Sequence, residues 1–380
     1  MKKIVIIPDS FKGTMTSREI STIIAEEAAA RWPQIQTTCI QVADGGEGSV
    51  DAFLSVLPGE KKVLKVRGPY NEELESFYGV TDEGQTAVIE VAAAAGLPLV
   101  GENRSAGKTS TYGVGQLIQA ALNDGVKKVI LGLGGSATND GGVGAAAALG
   151  VRFLNEAGEA FLPVGETLSQ IQHIDVSQAD PRLKQVEMIA MCDIDNPLCG
   201  ENGASAVFGP QKGATPEQVR QLDAGLAHLA QLIQRDIGVD VLNMEGAGAA
   251  GGMGAGMVAF MGASLQRGID VVLDTVGYDD MLTDCSMVIT GEGKIDGQSA
   301  RGKVVAGVAS RASQRKIPVL AVVGDIGDDA DEMYRIGVSA IFSINRVAVP
   351  FTEARNRAAD DLRKTIRTIF KFVEIAKEIE

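Results

Sequence analysis

The run Lys127-Lys-Val-Ile-Leu-Gly-Leu-Gly-Gly-Ser-Ala-Thr-Asn-Asp-Gly-Gly-Val-Gly144 decides the fold class. Lys127–Leu133 centres on Val129-Ile-Leu131, a short apolar stretch of strand length. Gly134, Gly135, Ser136, Thr138, Asn139, Asp140 and Gly141 follow it, and a helical pattern begins near Gly142. Strand, glycine turn and helix in that order are the building unit of a parallel α/β sheet.

The same layout recurs at Ile4–Thr16, Ile40–Ser49, Val241–Gly256 and Met287–Gly302. Further strands are expected at Lys3–Pro8, Thr37–Val42, Glu187–Cys192, Ser286–Thr290, Val319–Val323 and Ala340–Ile344, and Val271-Val-Leu273 is also strand-like. Thr16 with Glu19 forms a capping-box start for a helix that Pro33 ends, and Thr215 with Pro216 and Gln218 starts another that runs to Ile237. Thr352–Ile379 reads as a closing helix. Val63–Glu90 differs: polar and apolar residues alternate between turn signals at Gly68-Pro69 and Asp82-Glu-Gly84, the mark of antiparallel hairpins. A mixed region inside a doubly wound pattern predicts two different α/β domains. One is a Rossmann-like parallel-sheet domain built from both chain ends, residues 1–62 and 285–380. The other is a mixed α/β domain inserted at 63–284.

Composition narrows the function classes. Of 380 residues, 45% are hydrophobic but only 4% aromatic, so the core rests on aliphatic side chains. The net charge of −14 and the absence of a Lys/Arg run argue against a nucleic-acid partner. Apolar runs such as Gly144–Gly150 are too short to span a bilayer. The apolar start at Ile4–Ile7 reads as a strand, not a signal segment, so a cytoplasmic protein is expected. The four cysteines are scattered and only two histidines accompany them, which disfavours zinc. His173 and His228 are expected at the surface, and no GxSxG elbow is present.

Glycine turns at strand ends let backbone approach an anion, and the helix that follows offers unpaired N–H groups. The density of glycines and polar side chains at 134–142 exceeds what a tight turn requires. Gly246-Ala-Gly-Ala-Ala-Gly251 fits GxGxxG, but the preceding Val241-Leu-Asn-Met is a poor strand. The glycines after it suggest close packing as much as phosphate approach. Gly101–Thr109 imitates a phosphate-binding loop but has one residue too many between its glycines. Carboxylates gather at strand ends: Asp44 and Glu47, Asp193, Glu292 and Asp296. Lys12 and Lys212 sit in glycine turns, where lysines are ordinarily solvated.

Seven runs resemble the bacterial glycerate kinase family of type I: Pro8-Asp-Ser-Phe-Lys-Gly13, Val42-Ala-Asp-Gly-Gly-Glu-Gly48, Gly134–Gly142, Cys192-Asp with Asn196-Pro-Leu198, Phe208–Ala214, Gly246–Gly254, and Thr290–Gly293 with Asp296 and Gln298-Ser299. They follow the family's order across nearly the whole chain. Lys294 stands where related sequences often carry Arg. The resemblance implies transfer of the γ-phosphoryl of ATP to a hydroxyl of D-glycerate with Mg²⁺, in a cleft between two α/β domains. The product would be 2-phosphoglycerate, with 3-phosphoglycerate as the alternative.

Chemistry then assigns expected roles. Gly134, Gly135, Ser136, Thr138 and Asn139, with Gly246, Gly248, Gly251 and Gly252, would bind phosphate or nucleotide. Lys12 and Lys212 would neutralise anionic oxygens, with Ser10, Asp44, Glu47 and Lys212 on the substrate. Asp193 and Glu292 would hold Mg²⁺. Asp296, at a helix start, would take the hydroxyl proton, with Asp193 in reserve. The residues alone leave two rivals: an NAD(P)-dependent oxidoreductase using Gly246–Gly251, and a non-catalytic nucleotide or organic-acid sensor. A monomer and a homodimer are both compatible.

Overall fold

The structure is a computed structural model that describes residues 1–42, 46 and 48–379, and the side chains of these except at 301 and 377–379. The chain is α/β and divides into a terminal unit, Met1–Asp44 with Ile269–Glu380, and an inserted unit, Gly45–Gly268.

The terminal unit carries a five-stranded, wholly parallel sheet. Across it run Ala340–Ser343, Val319–Val323, Cys285–Gly291, Lys3–Pro8 and Gln36–Cys39. Numbered within the unit, this is the doubly wound order 2-1-3-4-5, whose direction reverses between Lys3–Pro8 and Cys285–Gly291. Both faces of Lys3–Pro8 are covered, and Ile4, Val5, Ile6 and Ile7 are fully buried. One face packs on the helices Ser17–Arg31 and Phe351–Ile379 through Ile20, Ile24, Leu362, Ile366 and Phe370. The helix Val304–Gln314 lies against Lys3–Pro8, Cys285–Gly291 and Val319–Val323. The expected capping box starts Ser17–Arg31: Glu19 N donates to Thr16 Oγ1 at 3.2 Å and Thr16 N to Glu19 Oε2 at 2.8 Å. The closing helix is tied to it by Arg363 and Arg367, which reach the buried Glu27 at 3.0 and 2.7 Å.

The inserted unit has a six-stranded mixed sheet. Ser264–Gln266, Glu187–Met191, Lys128–Gly132 and Thr86–Glu90 run parallel, and Glu73–Thr81 and Gly59–Arg67 extend the sheet antiparallel. The last two carry the hairpin expected from Val63–Glu90. Its strand order follows the chain without reversal. Thr215 and Gln218 cap the helix Pro216–Asp236 reciprocally, at 3.3 and 2.9 Å.

Two elements differ in kind from the sequence reading. At the head of Val241–Gly256 no strand forms. Val271-Val-Leu273 lies in the helix Gly268–Thr275, not in a strand. Three apolar residues are too few to separate the two periods, and Ile269 completes a helical buried face with them. Among the described residues no helix is long and apolar enough to cross a membrane.

Candidate functional site

In the inserted unit, Lys128–Gly132 and Glu187–Met191 are parallel neighbours, with Gly132 opposite Met191. Their carboxyl ends therefore release Leu133–Gly142 and Cys192–Asp193 side by side. A cavity of ≈ 190 Å³ opens there, with Gly134, Gly135, Ser136, Asp193 and Lys212 among its lining residues. Ligands of open α/β sheets bind at this edge. The 134–142 loop turns through left-handed backbone at Gly135, Gly141 and Gly142, with φ of 73, 65 and 76°.

Lys212 closes a short 3-10 turn, Pro210–Lys212, and contradicts the expectation that a lysine in a glycine turn is solvated. It is 2% exposed. Its Nζ donates to Ser136 Oγ at 2.8 Å and to the Thr138 carbonyl at 2.7 Å. Burial pushes its amine down to about 7, while the charge of Asp140 pulls the other way. Asp140 is itself buried and accepts from Thr111 N at 2.8 Å, Thr111 Oγ1 at 2.9 Å and Gly142 N at 3.1 Å. Burial raises its carboxyl and these donors lower it. Asn139 is turned to Ser205, donating at 3.0 Å, so its amide braces the loop. Thr138 Oγ1 is buried without a hydrogen-bond partner.

The second glycine run lies against the first. Gly141 N donates to Gly251 O at 3.0 Å. Ala250, Gly251 and Gly252 have φ of 53, 69 and 88° where the helix Ala249–Met261 begins. A Cβ on Gly251 would collide with the Thr138 carbonyl, and one on Gly248 with the Pro197 carbonyl. On Gly252 it would stand 2.9 Å from Gly141 Cα, and on Gly246 2.9 Å from Cys192 Sγ. Backbone packing thus accounts for Gly248, Gly251 and Gly252, a φ of 80° beside the Cys192 thiol accounts for Gly246, and Ala249 and Ala250 are the residues of this run that line the cavity. No strand leads into the GxGxxG stretch, as a dinucleotide fingerprint would need. Asp193 lines the same cavity and accepts from Gly268 N at 2.8 Å.

In the terminal unit, the loops after Lys3–Pro8 and Cys285–Gly291 emerge together at the point where strand order reverses. Asp9 N donates to the Gly291 carbonyl at 2.8 Å, which joins them. Glu292 follows directly. It is 5% exposed, and its Oε1 has no hydrogen-bond partner. Lys303 Nζ lies 3.8 Å from its other oxygen. Burial pushes its carboxyl up to about 6, the Ser299 hydroxyl and Lys303 pull it down, and Asp9 and Asp296 raise it. Asp296 lies in a tight turn before the 3-10 segment Ser299–Arg301, whereas the helix that follows starts at Val304, so it does not open a helix as expected. Its Oδ1 accepts from Gln298 N at 3.0 Å and its Oδ2 lies 3.6 Å from Lys294 Nζ. Ser10 is half-buried, with its N donating to Asp9 Oδ1 at 2.6 Å, and Lys12 is exposed in the Phe11–Met15 turn.

The expected site residues thus fall into two groups: Ser10, Lys12, Glu292 and Asp296 in the terminal unit, and Asp193, Lys212 and both glycine runs in the inserted unit. Asp44 and Glu47 lie outside the described residues. Sequence reading missed Asp9, Ser299 and Lys303. Lys303 stands one residue beyond the Met287–Gly302 segment and was legible as a cation close after its carboxylates. It also missed Glu90, a buried strand-end carboxylate that accepts from Gly48 N and Val50 N at 3.0 and 2.9 Å. His173 is exposed 3.1 Å from Asp236, and His228 is half-buried with Nε2 2.7 Å from Ile171 O. Among the described residues no cluster of three or more His, Cys, Asp or Glu could hold a metal. Magnesium at a phosphate site commonly takes only one or two carboxylates, and the orphaned oxygen of Glu292 fits that donor set.

The sequence pattern of the Glycerate kinase family matches residues 4–374. A glycerate kinase of Halalkalibacterium halodurans is 44% identical over 370 residues, covering 97% of each chain. The glycerate 2-kinase of Escherichia coli K12 is 42% identical over 368 residues, again 97% of each. The crystal structure of a candidate glycerate kinase 2 from Salmonella typhimurium LT2 superposes with a TM-score of 0.88 at 41% identity, covering 99% of both chains. With two glycine-lined strand edges of the kind that bind phosphates, and likeness along its whole length, the chain belongs to the glycerate kinase family and is a phosphotransferase with an alcohol group as acceptor.

Proposed function

We propose that the chain transfers the γ-phosphoryl group of ATP to the 2-hydroxyl of D-glycerate, giving 2-phosphoglycerate, as a cytoplasmic enzyme acting with Mg²⁺. The observation that carries this reading is Lys212: a buried amine held by Ser136 at the wall of a glycine-lined cavity suits an anion that arrives with its own charge. The E. coli relative named glycerate 2-kinase favours the 2-position.

Phosphoryl transfer needs positioning and charge neutralisation more than covalent chemistry. Lys212 and the Gly134–Ser136 turn would hold phosphate oxygens, and the exposed Lys12 would reach an anionic substrate. Asp296, kept in place by Gln298 N, would orient the acceptor hydroxyl and take its proton. Glu292 would hold Mg²⁺, which when bound supplies neutralisation of phosphate charge.

Turnover with ATP and D-glycerate, followed by phosphorus and carbon NMR of the product, tests the reading. Phosphate on the 2-oxygen supports it, phosphate on the 3-oxygen replaces the product, and no ADP release on adding glycerate ends it. Family membership sets aside the oxidoreductase and sensor readings.

A further inference from the structure

The cavity of the inserted unit is lined by residues of two unlike kinds. Ser136, Asp193, Gln211 and Lys212 bring polar side chains beside Gly134 and Gly135. Leu97, Leu133, Met191, Ile194 and Phe208 bring apolar ones. D-glycerate carries a carboxylate and two hydroxyls on three carbons. Seated against five apolar side chains, it would lose water without gaining hydrogen bonds. A purine has the opposite character: two flat, largely apolar faces, with an anionic chain leaving from one edge. Groups that suit the hydroxyls of a hydroxy acid instead gather in the terminal unit, at Asp9, Glu292, Asp296 and Ser299, with the cations Lys303 and Lys294 beside them for its carboxylate.

We infer that the inserted-unit cavity is the nucleotide pocket, seating the adenine base among Leu97, Leu133, Met191, Ile194 and Phe208 and directing the phosphates to Ser136 and Lys212. The parallel-sheet unit built from the chain ends, the usual home of a nucleotide by fold analogy, then holds the hydroxy acid. This assignment rests on the kinase reading and adds which ligand each unit takes.

The test uses the full chain. Trp32 is its one tryptophan and lies in the terminal unit, packed on Phe370 at 4.9 Å. Trp32→Phe combined with Phe208→Trp moves the indole to the half-exposed apolar wall of the cavity. The expected result is a saturable change of its fluorescence with ATP, ADP and adenosine, and none with D-glycerate. A response to D-glycerate alone, to inorganic tripolyphosphate but not adenosine, or to no ligand in an active variant overturns the assignment. Leu97→Ala gives a second reading independent of the indole. Its side chain is half-exposed, and the variant should raise KM for ATP roughly ten-fold with KM for glycerate unchanged. The reverse pattern also overturns the assignment. Failure of the unmodified protein to turn over ATP with glycerate would instead strike the kinase reading itself.

Discussion

Lys212 Nζ lies 2.8 Å from Ser136 Oγ, joining positions 76 residues apart in a buried pair. The hydroxyl and the Thr138 carbonyl orient the amine but bring no negative charge to it. A buried cation served by neutral acceptors is costly to the resting fold, and an arriving phosphate removes that cost. That asymmetry makes the residue the first to test.

Lys212→Met should lower kcat/KM by about 10² or more while leaving the protein folded. The flexible apolar chain fills the same buried space without a charge, so thermal unfolding should shift by no more than a few degrees. Steady-state kinetics beside calorimetry check both halves.

The pH dependence has a definite sign. Burial holds the folded-state amine at about 7, below the 10.5 of an exposed lysine, so between those values the unfolded chain binds the extra proton. The unfavourable contribution of Lys212 to stability is therefore full below about 7 and shrinks as pH rises toward 10.5. Urea unfolding should show the stability gap between Lys212→Met and the native protein narrowing across that window. Conversely, kcat/KM for ATP should fall as pH rises through about 7 and the cation is lost, and this limb should vanish in the variant.

Asp296→Asn should cut kcat by about 10² with little change in KM for ATP. The amide oxygen can still accept from Gln298 N, so the turn survives and the loss isolates proton transfer. Glu292→Gln should instead raise the Mg²⁺ concentration needed for half-maximal rate, since it leaves the proton acceptor in place. Magnesium titrations of both variants separate the roles.

Gly251→Ala should destabilise the protein by about 2–4 kcal/mol, because its Cβ collides with the Thr138 carbonyl at a φ of 69°. Gly158→Ala, at a φ of 76° but with open space around it, should cost about 1–2 kcal/mol. Denaturant melts of the pair separate packing from backbone strain.

These residues also mark how far the sequence could be read. Lys3–Pro8 and Val319–Val323 were legible because a strand buried on both faces must be a short apolar run. The hairpin at Val63–Glu90 was legible because one face is solvated and the side chains alternate. Val271-Val-Leu273 was not, since a helix burying one face can present the same three letters. The literal GxGxxG misdirects for a similar reason: Gly248 and Gly251 are small because carbonyls of Pro197 and Thr138 press on them, and those partners lie more than fifty residues away. The burial of Lys212 was hidden as well, because Ser136 reaches it only once two distant turns are folded together.

The 2-1-3-4-5 strand order has a consequence for synthesis. Lys3–Pro8 leaves the ribosome before Cys285–Gly291, and the Ile7 carbonyl receives the Thr290 hydroxyl from 283 residues downstream. At about 5–20 residues per second, tens of seconds separate the two. Residues 45–268 are complete before that partner exists, so the inserted unit can mature while the nascent amino-terminal strands still present an unpaired edge. The order of translation thus leaves Lys3–Pro8 without its neighbour Cys285–Gly291 until the inserted unit has been made.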